Sequence, residues 1–301
     1  MSRRLLLGIV VVLLITNIAT FLIWKTDEKI VIDTGGEEKE INSNKPVAII
    51  DGAKISYDDW VSSLRRDYGE KHLKTLIDQK LVKQLAEQEN IHVHEKVIDR
   101  EIALLTTMQG IMTKEETARM EEKWRESILH RYQLEALLTE GIDISAGEIQ
   151  KYYEQYHKQY DFQASRQYSH IVVEDKKTVE KIMDELDQGA SFRLLAKEYS
   201  IDGDTKKEGG YLGFFTNKSS FVPSKYNEKA AKMEERTYSK PFKTTDGFVI
   251  LYLHRNLPSI TFSYDEIKPY IKRELALDKL DQPLTASPLW KKADINWIFE
   301  E

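Results

Sequence analysis

Cysteine is absent from this 301-residue sequence. This absence excludes disulfide bonds, thiol nucleophiles and cysteine-ligated zinc, and it predicts that no lipid is attached to an N-terminal cysteine. An excess of basic charge is also absent, since the formal net charge is −6. Residues 30–163 alone carry 18 basic and 26 acidic side chains. A chain of this charge without a basic stripe is not expected to bind nucleic acid.

One long apolar run is present near the N-terminus, over Leu5–Trp24, and it contains no charged residue. Twenty such residues can cross the ~30 Å hydrocarbon core of a bilayer as a helix. Arg3 and Arg4 precede the run, which places the N-terminus in the cytoplasm and the remainder of the chain outside. We therefore expect a membrane anchor within residues 1–29 that contacts lipid through residues 5–24. A cleaved signal peptide is the alternative. The polar residues 30–45 are expected to form a flexible linker.

Apolar residues at helical spacing dominate residues 46–163, after a short strand that ends in the Asp51-Gly52 turn. Capping boxes are predicted where a Ser or Thr stands three residues before an acidic residue, at Ser56, Thr113 and Ser145. Residues 259–301 are predicted to form a helix, a second short helix and a terminal strand. We expect this tail to return to the earlier helices, so that the helical domain comprises residues 46–163 and 259–301. His92 and His94 lack a third ligand at suitable spacing, so no metal site is predicted.

The pattern changes over residues 164–258, where Arg166–Val173 is predicted to be a strand. Helices are predicted over Thr178–Gln188, Phe192–Ser200 and Asn227–Met233, followed by two strands within Lys240–His254. The predicted order β-α-α-α-β-β is typical of a small α+β domain. This domain would be an insertion in the helical one.

Three segments within residues 164–258 are arranged as in a known family: SHIVV, LAKEYSIDGDTKKEGGYLGFF and SKPFKTTDGFVILYL. Together they resemble a parvulin-type peptidyl-prolyl isomerase domain. VAIIDGAKIS, LIDQKLVKQLAEQENI and ADINWIF resemble the helical part of bacterial extracytoplasmic foldases related to PrsA and SurA. The resemblance implies an α+β fold, a parvulin-like domain inserted in a mainly helical chaperone domain, preceded by one transmembrane helix.

The resemblance also implies a set of site residues. The family's first active-site histidine corresponds to His170, and the position at which the family has cysteine or aspartate corresponds to Asp202. The family's second histidine is replaced by Val249, so reduced isomerase activity is expected. The implied catalytic residues are His170, Asp202 and Thr244, and the implied proline-binding residues are Leu212, Val222, Tyr226 and Phe248. No cofactor or metal is implied, because rotation about an amide bond needs neither.

Two functions remain open on the sequence. The first is a membrane-anchored, extracytoplasmic isomerase and foldase that acts on Xaa-Pro bonds of unfolded secreted polypeptides. The second is a chaperone of the holdase type, whose parvulin-like domain binds polypeptides with weak or lost catalysis. The loop after His170 lacks paired arginines, so unphosphorylated segments are the expected substrates. A homodimer is compatible with either function.

Overall fold

The computed structural model describes residues 29–33 and 38–299. The expected membrane segment over residues 5–24 lies outside them. Among the helices that are described, none combines the length and the apolar composition needed to cross a bilayer. The chain divides into two compact units, of which the second is Leu81–Asp294.

The first unit contains two antiparallel hairpins and the start of a long helix. Strands β1 (Lys29–Asp33) and β2 (Glu38–Asn42) pair where a flexible linker was expected. The β-branched residues 30–32 explain this difference, because they favour an extended chain. Strands β3 (Ala48–Ile50) and β4 (Ala53–Ile55) pair around the predicted turn, whose two residues have positive φ angles. Helix α1 then runs without interruption over Tyr57–Gln88.

The second unit begins with the end of α1 and three further helices. They are α2 (Glu95–Thr107), α3 (Lys114–Leu138) and α4 (Ala146–Tyr156). Capping boxes open α3 at Thr113 and α4 at Ser145, as predicted. The side chain of His94 caps α2, because its Nδ1 accepts a hydrogen bond of 3.2 Å from the backbone of Lys96.

The C-terminal helix α8 (Tyr264–Asp278) packs on α4, as expected, through a cluster that includes Ile149, Ile267 and Ile271. A 3-10 helix follows over Ser287–Lys292. The terminal strand expected at the end of the chain is wrong for its described part, because residues 293–299 form no strand. The domain boundaries at 163/164 and 258/259 remain predictions, although an isolated bridge joins Phe162 to Ile260 beside both of them.

Between these boundaries lies a five-stranded antiparallel sheet with three helices. Its strands are β5 (Ser165–Val173), β6 (Tyr211–Thr216), β7 (Thr237–Tyr238), β8 (Phe242–Lys243) and β9 (Phe248–Leu257). Its helices are α5 (Lys176–Asp187), α6 (Phe192–Tyr199) and α7 (Ser224–Ala230). The sheet order is β6-β5-β9-β7, and β8 also pairs with β9.

The observed order of elements is β-α-α-β-α-β-β-β, so the predicted order β-α-α-α-β-β was wrong in omitting two strands. The larger omission is β6, since no strand was predicted over Tyr211–Thr216. Its residues pair with β5 across a register shift between Tyr168 and Ser169, and Gly213, opposite Tyr168, has a positive φ within the strand. The other omission, β7, has only two residues.

Alternation along β5 and β9 sends successive side chains to opposite faces of the sheet. On one face Ile171, Val173 and Ile250 pack against α5 and α6. On the other face Val172, Val249 and Leu251 form a cluster with α7. The other buried residues of this second cluster are Val222, Tyr226 and Phe242. His170 shares the second face, since it is two residues from Val172 on the same strand.

Candidate active site

His170 lies on the central strand β5 and is 7% exposed. Its backbone N–H donates a 2.8 Å hydrogen bond to the carbonyl of Gly210 at the start of β6. Gly210 has a φ of 76°, and a Cβ at this position would lie 1.9 Å from the His170 carbonyl oxygen. The chain can therefore approach His170 this closely only because residue 210 is glycine.

Asp202 follows α6 in a loop that is attached to β5. The amide of Ile201 donates to the carbonyl of Val172, and the buried hydroxyl of Ser200 accepts from the amides of Val172 and Asp202. These contacts bring the Asp202 carboxylate to the His170 ring, where Oδ2 lies 2.7 Å from Nε2. The structure thus brings together two residues that are 32 positions apart in the sequence.

Thr205 is a third member of this group, and the sequence analysis missed it. Its hydroxyl donates to Asp202 Oδ2 at 2.5 Å and lies 3.0 Å from His170 Nε2. The available signal was its spacing, because a threonine three residues after an aspartate can bond the carboxylate within a turn. The amide of Asp204 also donates to Asp202, at Oδ1, which completes that turn.

Tyr226 lies on α7 and contacts the other nitrogen of the same imidazole. Its hydroxyl is 2.8 Å from His170 Nδ1, and the residue is 3% exposed. The family resemblance implied Tyr226 as a proline-binding residue, and the replacement of the second histidine by Val249 removed a likely hydrogen-bond partner of His170. The structure supplies one from a different element.

The protonation states of these groups follow from burial and hydrogen bonding. Burial lowers the pKa of His170, although the hydrogen bond and charge of Asp202 oppose this. Burial alone would raise the pKa of Asp202, but hydrogen bonds from Thr205 and His170 outweigh it and lower that pKa. Burial also raises the pKa of Tyr226. At neutral pH the arrangement is therefore a phenol, a neutral imidazole and a carboxylate.

These states fix the direction of each hydrogen bond. The carboxylate of Asp202 only accepts, so His170 carries its proton on Nε2 and donates it towards Asp202. Nδ1 is then an acceptor, and the Tyr226 hydroxyl donates to it. Each polar group in the chain from Tyr226 to Asp202 is thereby satisfied, although it lies beside an apolar cluster.

The apolar side of the site combines several residues that the sequence singled out. Val222 and Tyr226 are buried in one cluster, and the half-buried Leu212 packs against it. Val249 is fully buried in the same cluster, with no exposed surface. It therefore packs as a core residue at the position of the family's second histidine.

Two of the predicted site residues are not brought to this group. Phe248 packs against the cluster formed with α5 and α6, on the opposite face from Val249, as the alternation of a strand requires. Thr244 lies in the turn between β8 and β9, where its hydroxyl bonds the carbonyl of Gly247 and the amide of Asp246. Its described hydrogen bonds do not include His170.

Comparison with known proteins agrees with this geometry. Residues 144–269 match the PPIC-type PPIASE domain. The YacD protein of Bacillus subtilis, named as a candidate peptidyl-prolyl cis-trans isomerase, is 34% identical over 86% of this chain and 88% of its own. The foldase protein PrsA of Halalkalibacterium halodurans is 32% identical over 86% of this chain and 79% of its own. The chain belongs to the parvulin family of peptidyl-prolyl isomerases.

The parvulin domain match spans all of the residues that surround His170. A solved structure of the peptidylprolyl isomerase PrsA from Bacillus cereus covers 85% of this chain and 95% of its own, with 23% identity and a TM-score of 0.33. The family assignment depends on the sequence matches alone. The chain therefore carries a parvulin-type isomerase domain, in which His170 and Asp202 are in contact.

Proposed function

We propose that this protein is an extracytoplasmic prolyl isomerase that assists the folding of secreted polypeptides. The observation that carries the proposal is the 2.7 Å contact between His170 and Asp202 beside a buried apolar cluster. Relatives named as foldases support the cellular role. The apolar run of residues 5–24 supports attachment to a membrane, with the domains after it on the outer side.

The chemistry requires only that the twisted amide be favoured over the planar one. Amide resonance sets a rotation barrier of ~18–20 kcal/mol, and no bond needs to be made or broken. The cluster containing Leu212, Val222 and Tyr226 would bind the proline ring and remove water from the adjacent carbonyl. Binding that is stronger in the twisted state than in the planar state accelerates the exchange.

The polar side of the site would act on the charge of the amide. The planar amide has a resonance form with negative charge on its oxygen, and a nearby carboxylate disfavours that form. Asp202 is suited to this role because its pKa is lowered and its side chain is 24% exposed. His170 and Thr205 hold the carboxylate in place, so little reorganisation is needed when the substrate rotates.

Unphosphorylated segments fit this site better than phosphorylated ones. The connection from β5 to α5 contains only Glu174 and Asp175, and Asp175 caps the helix. Asp246 adds negative charge near both His170 and Tyr226. This charge opposes the lowering of the pKa of His170 by burial and adds to the raising of the pKa of Tyr226. A phosphate group would be repelled by these carboxylates and would find no arginine cluster to bind it.

The proposal is tested with a protease-coupled assay on Xaa-Pro tetrapeptides, using the full chain in detergent. We expect exchange above the uncatalysed rate and a loss of about tenfold or more in kcat/KM for His170→Ala and Asp202→Ala. Asp204→Ala is the matched control, because it removes an exposed carboxylate from the same loop. Equal rates in all four proteins would refute the assigned site.

A chaperone function is the second candidate, and exposed apolar side chains favour it. Phe221, beside the cluster at Val222, is 89% exposed, and Met108 is 79% exposed. A holdase would suppress the aggregation of an unfolded protein that contains no proline, whereas an isomerase alone would not. Suppression that persists in Asp202→Ala but falls in Phe221→Ser would assign the two functions to different residues.

A further inference from the structure

Val249 and Tyr226 are in the same buried cluster but come from different elements, β9 and α7. Val249 occupies the position of the family's second histidine. Because its side chain has no polar atom, it cannot donate or accept a hydrogen bond there. Tyr226 occupies a position in the proline-binding wall, which needs only an apolar side chain. Its hydroxyl is therefore surplus to binding proline, yet it lies 2.8 Å from His170 Nδ1.

The Tyr226 ring is held by its neighbours so that this contact is well directed. It meets the His170 ring edge-on, with centroids 5.9 Å apart and an interplanar angle of 71°. On its other side it meets Phe242 at 5.8 Å and 87°. A buried tyrosine with two edge-on neighbours has few alternative rotamers, so the hydroxyl stays directed at Nδ1.

We propose that Tyr226 is the positioning residue for His170, and that its hydroxyl replaces the hydrogen bond that a second histidine would provide. Val249 and Tyr226 are then a compensating pair: the valine fills the core while the phenol holds the imidazole. This inference rests on the proposed function of the site, since it assigns a role within it. It also changes the expectation drawn from Val249 alone, because His170 is oriented and need not be impaired.

A phenol is suited to this substitution because a hydroxyl can donate and accept. With the proton of His170 on Nε2, the hydroxyl of Tyr226 donates to Nδ1. The charged groups that act on the imidazole are Asp202 and Asp246. Thr205 adds a hydroxyl on the Nε2 side. Loss of the Tyr226 hydroxyl would leave Nδ1 unpaired in a buried setting, so the ring would be held at only one end.

The test is the ¹⁵N spectrum of the imidazoles in the full, histidine-labelled chain, with His170 assigned by its absence in His170→Gln. A nitrogen that accepts a hydrogen bond resonates upfield of one that does not. Tyr226→Phe is expected to move His170 Nδ1 downfield. Tyr168→Phe is the matched control, because it also removes a buried hydroxyl, whose 2.7 Å hydrogen bond goes to Asn227 and not to His170.

A rescue separates positioning from a general loss of stability. The double variant Tyr226→Phe/Val249→His should return Nδ1 to an upfield position, because the introduced histidine restores a donor. In the tetrapeptide assay Tyr226→Phe is expected to lower kcat/KM about three- to tenfold, the range for one hydrogen bond, and Tyr168→Phe to lower it less. The double variant should recover part of the loss.

The outcomes distinguish this inference from the proposed function. An Nδ1 resonance in Tyr226→Phe that coincides with that of the unmodified chain would overturn the inference, whatever the double variant does. A downfield shift in a chain without isomerase activity would uphold the positioning role and reject the proposed catalysis. A shift of equal size in Tyr168→Phe would also overturn the inference, because the response would then be unspecific.

Discussion

Replacing Gly210 with alanine tests whether the close approach of β6 to His170 builds the site. Gly210 has a φ of 76°, and an added Cβ would lie 1.9 Å from the His170 carbonyl oxygen. That oxygen is part of the strand backbone, so it cannot move aside as a flexible side chain could. The strand edge must separate, and the hydrogen bond from the His170 amide to the Gly210 carbonyl must lengthen or break.

The cost can be divided into two parts. A left-handed conformation costs an L-residue roughly 1–2 kcal/mol. Loss of one backbone hydrogen bond adds about 0.5–1.5 kcal/mol. We therefore expect Gly210→Ala to lower the free energy of unfolding by about 1.5–3.5 kcal/mol, a large share of the stability of a small domain.

Alanine variants of two other glycines separate the conformational cost from the cost of the close contact. Gly189 follows α5 with a φ of 89°, but an added Cβ there meets nothing within 4 Å, so Gly189→Ala carries only the conformational cost. Gly203 has neither a positive φ nor a near neighbour, so Gly203→Ala should change stability by less than about 0.5 kcal/mol. Hydrogen exchange of the β5 amides in increasing urea measures all three. If Gly210→Ala costs no more than Gly189→Ala, the close approach does not constrain the strand.

The hydrogen bonds and buried groups around the sheet give two more predictions. Thr205→Val should raise the pKa of Asp202 towards its ordinary value, because a hydrogen bond to the carboxylate is lost. Titration followed by the carboxyl ¹³C resonance measures this pKa. Replacement of the exposed Thr245 in Thr245→Val should leave the pKa of Asp202 unchanged. Burial and the charge of Arg236 lower the pKa of His254 to about 4, so its contribution to stability is complete above about pH 6.5 and is lost as the pH falls towards 4. The loss is about 3 kcal/mol at most, and urea unfolding of His254→Gln should show a smaller decrease in stability across this pH range.

Much of the fold could be predicted because its signals are local. The capping boxes at Thr113 and Ser145 marked the starts of α3 and α4, since a cap depends on residues three positions apart. The strand β6 was missed because its identity depends on pairing with β5, which lies about 40 residues earlier.

The site divides in the same way. The contact between His170 and Asp202 could be anticipated from the order of family motifs, and the structure places the two side chains together. Phe248 was predicted to bind proline together with Val222. It precedes Val249 by one residue, however, and so faces the other side of the sheet. The hydroxyl of Tyr226 could not be placed from sequence, because its distance from His170 depends on how α7 packs over β5 and β9.

Packing against the sheet also explains why the loss of one histidine need not abolish an active site. A valine at residue 249 and a tyrosine at residue 226 are separated by two strands along the chain, so their relation is hidden in the sequence. Both residues belong to one buried cluster, and the hydroxyl of Tyr226 reaches the imidazole of His170 from α7. A donor from α7 would then take the place of one from β9. What His170 requires is a donor near Nδ1 within a buried wall, and not a histidine in particular. Position-by-position comparison with a family motif detects the missing histidine, whereas only the packed cluster shows the hydroxyl that stands in its place.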